Sequence, residues 1–445
     1  MKARAGALLV ALSVFAVACP SEHSTHTAGA FTGGVGSVPS VAPGGAPTAQ
    51  AAIRKLCVAP AGTAGATSTP SAAASPAATP PQIAEIEHEV EQVRGLTYEH
   101  PVAVESVTAQ EMQHRVEDEF DTTYPADYYD RRTAAWRTIG VIPPDADLRE
   151  SLRTFLGGQV VGFYDPESKE LVYVGSGDFG LEERLVLAHE LTHALDDQHF
   201  DLTRLDQLAS KCEDERSEAA LGLVEGNAQF VSVGTLTRFP SGDLRDALGA
   251  LVNGFGDQPD LSGVPPFVQA IEIWPYTQGL AFVTRLALDG GTAAVDDAFR
   301  HPPTTTEQVM HPELYPSDVP SAVDVPDLSG ALGPKWGDLD AMDVGEQWLD
   351  AMLQLRLDST TADDATAAWD GGVYRAFTDG TGVVVAMDTA WDSAADATEF
   401  ASAMEQWTAR GHAPTESSSD GTHVRLVFAT SAALLDPATP ALSGH

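Results

Sequence analysis

An α+β fold is what this sequence predicts, on three observations. Two short β-rich runs lead straight into a long patterned helix, more helices follow, and beyond about Gly345 the texture shifts to short strands mixed with helices. No internal repeat of the length that marks a solenoid interrupts this order. At 445 residues the chain can hold two or three domains, and it needs neither metal nor disulfide simply to build a core.

The first 19 residues read as an export signal. Lys2 and Arg4 precede an apolar stretch from Ala5 to Ala18, too short to span a membrane, that ends in small residues before Cys19. Ala16-Val17-Ala18-Cys19 is similar to a lipobox, with Ala16 where Leu is usual, so Cys19 is the expected site of a membrane-anchoring lipid and an ordinary signal peptide the alternative. Residues 20–81 are rich in Ala, Gly, Ser, Thr and Pro and are expected to form a disordered tether, because so few large apolar side chains cannot offset the entropy of ordering. Assigning Cys19 to lipid leaves Cys57 and Cys212 as one possible disulfide.

Order begins near Gln82. Ile83, Ile86, Val90 and Val93 recur at helical spacing, and Thr108-Ala-Gln-Glu111 is a capping box that starts a second helix. Gln159–Tyr164 and Glu170–Val174 read as a strand pair joined by Asp165-Pro-Glu-Ser-Lys169. A striped helix follows over Leu181–Gln198, and a third long helix over Glu213–Thr237. The central domain is expected over 82–345 and a small α+β module over 346–440, with strands near Tyr374–Phe377, Val383–Met387 and Val424–Phe428 and a helix at Ala395–Trp407.

Charge narrows the partners. Asp and Glu number 64 against 25 Lys and Arg, of which five are Lys, so nucleic acid and an anionic membrane face are disfavoured. The same balance suits a chain kept soluble in high salt.

The chemistry concentrates in His189-Glu190-Leu191-Thr192-His193. Residues four apart share a helix face, so both imidazoles point to one place with Glu190 beside them. That arrangement suits one zinc ion with an open coordination position, and makes Glu190 the general base for hydrolysis of a peptide bond. The third metal ligand has two candidates. Glu225, in Leu223-Val-Glu-Gly-Asn-Ala228, lies on the next long helix, with Glu218 seven residues earlier as a local competitor. His199 falls where the pattern HExxHxxGxxH places its last histidine, but Asp196 stands where that pattern turns on Gly. Asp197, four residues past His193, is expected to accept that imidazole's second N–H.

His189–Ala194 with Asp197 resembles the thermolysin-type gluzincins, a zincin-like metallopeptidase fold of helices and a small mixed sheet that takes a later Glu as ligand. A longer resemblance covers roughly residues 100 to 410. Gly162-Phe-Tyr-Asp-Pro166, His189 to Leu202, Leu223 to Ala228, Tyr276-Thr-Gln-Gly279, Thr305 to Glu313 and Ala368-Trp-Asp-Gly-Gly372 are similar to a family of bacterial and haloarchaeal surface lipoproteins with a predicted gluzincin core. The resemblance implies a zinc peptidase at the cell surface with Glu225 as ligand, and it implies no particular peptide or protein substrate. His311 and Tyr276 are candidates to stabilise the oxyanion, and a strand edge near Val160–Tyr164 could pair with an extended peptide. The competing expectations are a surface or assembly protein that keeps the fold without turnover, and a cation-capturing lipoprotein.

Overall fold

The structure is a computed structural model that describes residues 49–57, 79–123, 127–156, 162–175, 179–238, 261–411 and 413–443. The expected leader with Cys19, most of the expected tether and the start of the first β-rich run lie outside the described residues.

The fold is α+β, built on two sheets. The first half carries α1 (Ala49–Cys57), α2 (Pro81–Arg94), β1 (Ala103–Val107), α3 (Ala109–Thr123), α4 (Tyr128–Ile139), α5 (Leu148–Leu156), β2 (Gly162–Asp165) and β3 (Glu170–Val174). Then come α6 (Leu181–Phe200), α7 (Thr203–Ser210), α8 (Asp214–Thr235) and α9 (Pro266–Arg300), the last broken at Gly291, whose φ of 66° no helix admits. After α10 (Thr306–Met310) and the short α11 (Ser329–Leu332), the second sheet and its helices follow: β4 (Gly337–Asp343), α12 (Glu346–Gln354), α13 (Ser359–Thr366), β5 (Trp369–Thr378), β6 (Val383–Trp391), α14 (Ala394–Ala409), β7 (Thr415–Asp420), β8 (His423–Ala429) and α15 (Leu435–Ser443). As the capping box predicts, the Thr108 hydroxyl accepts from Glu111 N–H at 3.2 Å.

The first sheet has the order β1-β3-β2, with β1 parallel and β2 antiparallel to β3. Its Tyr164, Leu171 and Tyr173 pack with Leu187, Leu191 and Leu195 of α6 and with Ile83, Ile86 and Val90 of α2. Because α8 covers the other side, α6 is buried almost all round from Leu185 to Asp197, which is why its apolar stripe is broad. The second sheet is antiparallel throughout, in the order β4-β5-β6-β8-β7.

Two boundaries differ from expectation. The C-terminal module takes in β4, which begins at Gly337; Asp338 and Asp340 mask it in the sequence, and Arg375 and Arg132 satisfy those carboxylates at 2.8 Å each. Within the expected tether, α1 buries Ala49, Ala52 and Ile53 in the core of that sheet, and Ala49 N–H donates to Asp324 at 2.6 Å. Three small or branched side chains at helical spacing suffice when a neighbouring sheet supplies the rest of the apolar surface. Cys212 is disulfide-bonded, while the side chain of Cys57, its expected partner, lies outside the described residues. Among the described residues no helix is long and apolar enough to cross a membrane.

Helices α8 and α9 meet backbone to backbone. A Cβ on Gly226 would lie 2.1 Å from the Gly279 carbonyl carbon, and one on Gly279 would lie 2.0 Å from the Gly222 oxygen. Gly226→Ala gains about 1 kcal/mol of helix propensity but forces two backbones apart, at a cost near the top of the overpacking range, about 3 kcal/mol. The expected outcome is a net loss of about 2 kcal/mol in urea unfolding, with Gly279→Ala behaving alike; unchanged stability would show that the helices can separate freely.

Candidate metal centre

The metal-binding geometry starts from α6 and α8. His189 and His193 lie one turn apart on α6, their rings 4.7 Å apart between centroids, and α8 returns alongside to bring in Glu225. Glu225 Oε2 is 2.9 Å from His189 Nε2 and 3.6 Å from His193 Nε2. One ligand atom from each of the three residues lies within 4.8 Å of the others, and all three side chains are buried. The nearer competitor, Glu218, lies outside this group, as does His199. Because α6 continues unbroken through Asp196 to Phe200, His199 faces away from His193, and its Nε2 lies 2.8 Å from the Thr97 carbonyl oxygen.

The donor set fits a divalent cation. Both ring nitrogens of His193 and Oε1 of Glu225 are buried without a hydrogen-bond partner, an uncommon state for three polar atoms in one place. Burial acts to raise the Glu225 carboxyl, but the adjoining His193 and His189 outweigh it and bring the group down to about 2. Burial also acts to lower both histidines. His189 ends below its usual value, whereas Glu225, with Glu190 and Asp196 behind it, carries His193 up to about 9. Two imidazoles and a carboxylate, with no fourth donor grouped with them among the described residues, make a set that could hold a metal ion and leave a position open.

Strand β2 fixes Glu190. The Tyr164 N–H donates to Glu190 Oε2 at 2.8 Å, and the Tyr164 hydroxyl donates to Asp197 Oδ2 at 2.6 Å. Lys169, in the left-handed conformation that closes the β2–β3 turn, adds its ammonium at 2.7 Å from Asp197. Asp197 also accepts from Leu202 N–H, so it anchors the hairpin to the end of α6, and the expected hydrogen bond to His193 does not form. Position four on the helix does share a face with His193, but the hairpin lies over that turn and supplies stronger partners.

Its neighbour Asp196 has a role that sequence reasoning missed. The buried Asp196 carboxylate accepts from Arg94 Nε of α2 at 2.8 Å and from Asn227 Nδ2 of α8 at 2.5 Å, while Arg94 also reaches Asp296 at 2.6 Å. Asn227 stands two residues past Glu225, so this bond sets the register of the ligand helix; a buried Asn beside a ligand was the available signal. Burial leaves the Asp196 carboxyl above its usual range despite Arg94.

Of the two oxyanion candidates, Tyr276 stacks on His189 with ring centroids 6.2 Å apart and 30° between planes. His311 instead meets Glu346 at 2.8 Å, at the start of α12. A cavity of about 300 Å³ opens beside the centre, with Glu225 and Tyr276 in its wall.

Residues 334–435 match a family model described as a domain of unknown function (DUF8575). That match spans β4 to β8 and none of the metal-centre residues. Comparison with curated proteins and with solved structures gives no match.

Removing Asp196 strands Arg94, a fully buried cation, on Asp296 alone. Asp196→Ala is expected to cost about 3–5 kcal/mol in urea unfolding, the range for breaking a buried pair from one side. A loss below about 1 kcal/mol would mean that the guanidinium reaches water.

Proposed function

We propose that this chain is a zinc-dependent peptidase with a zincin-like core of the gluzincin type. The observation that carries the reading is the buried convergence of His189, His193 and Glu225 from two adjacent helices, with Glu190 fixed beside them by the edge strand β2. The chemistry that zinc supplies in such a set is Lewis acidity, which lowers the pKa of a coordinated water to about 7 and polarises a carbonyl.

The chain's own residues do the rest. Glu190 accepts a proton from the attacking water and returns it to the leaving amine nitrogen, and the Tyr164 N–H holds Oε2 so that the carboxylate keeps one orientation. Strand β2 has a free side in the described sheet, so an extended substrate can add to it and bring its scissile carbonyl to the centre. Tyr276, against His189, is the donor assigned to the oxyanion. The proposal includes export and lipid attachment at Cys19, on the sequence of residues 1–19.

Zinc stoichiometry on the full chain, measured beside casein cleavage in high salt, tests this. Wild type is expected to hold one zinc per chain and to lose cleavage with a chelator. Glu225→Ala loses the metal. Glu190→Gln keeps it while cleavage falls by about a hundredfold or more, and His199→Ala changes neither. Zinc retained in Glu225→Ala would refute the ligand set, and cleavage retained in Glu190→Gln would refute the mechanism.

A further inference from the structure

The cavity beside the centre runs along α8, α9 and α7 and is closed opposite by α4, α5 and the residues around α12. Seven of its lining residues are Asp or Glu and one, Arg132, is basic. That arginine is already engaged, at 2.8 Å from Asp340 and 3.4 Å from Asp214. Several acids are engaged as well: Glu215 accepts from Thr306, Asp343 from Gln50, and Glu225 belongs to the metal group.

Two are not. Asp206, one of the lining residues, is 7 % exposed, and its Oδ2 is buried with no hydrogen-bond partner. Glu218 Oε1 is likewise buried and unbonded, and burial, with the like charge of Glu272 of α9 adding to it, holds its carboxyl well above the usual range. Glu272 is pushed up to about 7 by burial. A buried carboxylate oxygen without a donor is costly, and a cavity that leaves two of them open is built for a cation to enter.

The cavity also has an apolar side, formed by Leu148 and Leu152 of α5 and Val268 and Ile271 of α9. An inorganic cation or a free N-terminal amine has no use for that wall. A lysine or arginine side chain does, because its methylene stem packs on apolar surface while its head seeks a carboxylate.

On the peptidase reading, on which this rests, we propose that the cavity is a specificity pocket for a lysine or arginine side chain of the substrate, with Asp206 and Glu218 as its recognising carboxylates. Glu218 stands two helical turns from Glu225, about 10 Å along the axis, and an extended peptide advances about 3.5 Å per residue. The basic residue therefore lies within about three positions of the cleaved bond.

The test uses the zinc-loaded full chain at about 1 M salt, where a Debye length of about 3 Å removes long-range attraction by the acidic surface. Peptides blocked at both ends and differing only in arginine against norleucine at one position are followed by cleavage rate. Their binding to Glu190→Gln is followed separately by fluorescence anisotropy. The expected result is a preference for arginine of about tenfold or more in both readouts, collapsing towards unity in Asp206→Asn and in Glu218→Gln. Burial already holds both carboxyls well above the usual range, and each amide keeps the shape of the acid it replaces, so neither variant should lower the melting temperature.

Equal handling of the two peptides, or a preference that survives both variants, overturns the pocket. Tight binding that needs only an unblocked N-terminus overturns it in favour of amine recognition. If nothing is cleaved but the arginine preference in binding persists and is lost in the variants, the pocket stands and the peptidase reading falls. Failure of both readouts removes both.

Discussion

Everything at the candidate metal centre depends on the register of α8 against α6. His189 and His193 converge through the helix period alone, but Glu225 joins them only if α8 has the right rotation and axial position. Two contacts impose this. Asn227 donates to the buried carboxylate of Asp196, and Gly222 and Gly226 let α9 press α8 from the opposite side. A slip of one residue on α8 would turn Glu225 by about 100° and remove it from the imidazoles.

The Arg94–Asp196–Asn227 cluster is better understood as a positioning device than as a source of stability. Its carboxyl remains above the usual range even with a guanidinium at 2.8 Å, so burial costs the charge more than its partners return. Buried ion pairs are often neutral or unfavourable against apolar replacements, yet breaking one from a single side is severe. Such a cluster therefore tolerates one geometry and penalises all others, which is what a ligand helix requires. The glycine contact works in the same sense, since two backbones at van der Waals distance admit no alternative packing.

The legible and illegible parts of the sequence divide along the same line. The spacing of His189 and His193, the strand pair, the long helices and the mixed texture of the last hundred residues follow from local periodicity, and the structure has them all. Long-range pairs left no periodic trace. Asp196 reads locally as a replacement for a turn glycine and Asp197 as a partner of His193. Their real partners, Arg94, Asn227, Tyr164 and Lys169, lie between 28 and 102 residues away in sequence. Strand β4 and helix α1 were hidden for a related reason: their fit comes from arginines and a sheet supplied by distant segments.

The same long-range bonding joins the C-terminal module to the half of the chain that carries the candidate metal centre. Arg132 of α4 links Asp214 of α8 to Asp340 of β4, Thr306 binds Glu215 of α8 with its hydroxyl, and Gly345 packs so closely on the Glu215 carboxylate that a Cβ there would displace it. Met342, Gly345 and Trp348 then complete the cavity that Glu225 borders. A boundary drawn at 345 would cut through that wall. A shift of the second sheet would thus reach α8 through Asp214 and Glu215, about three turns from Glu225, and alter the cavity before it disturbed the two histidines on α6.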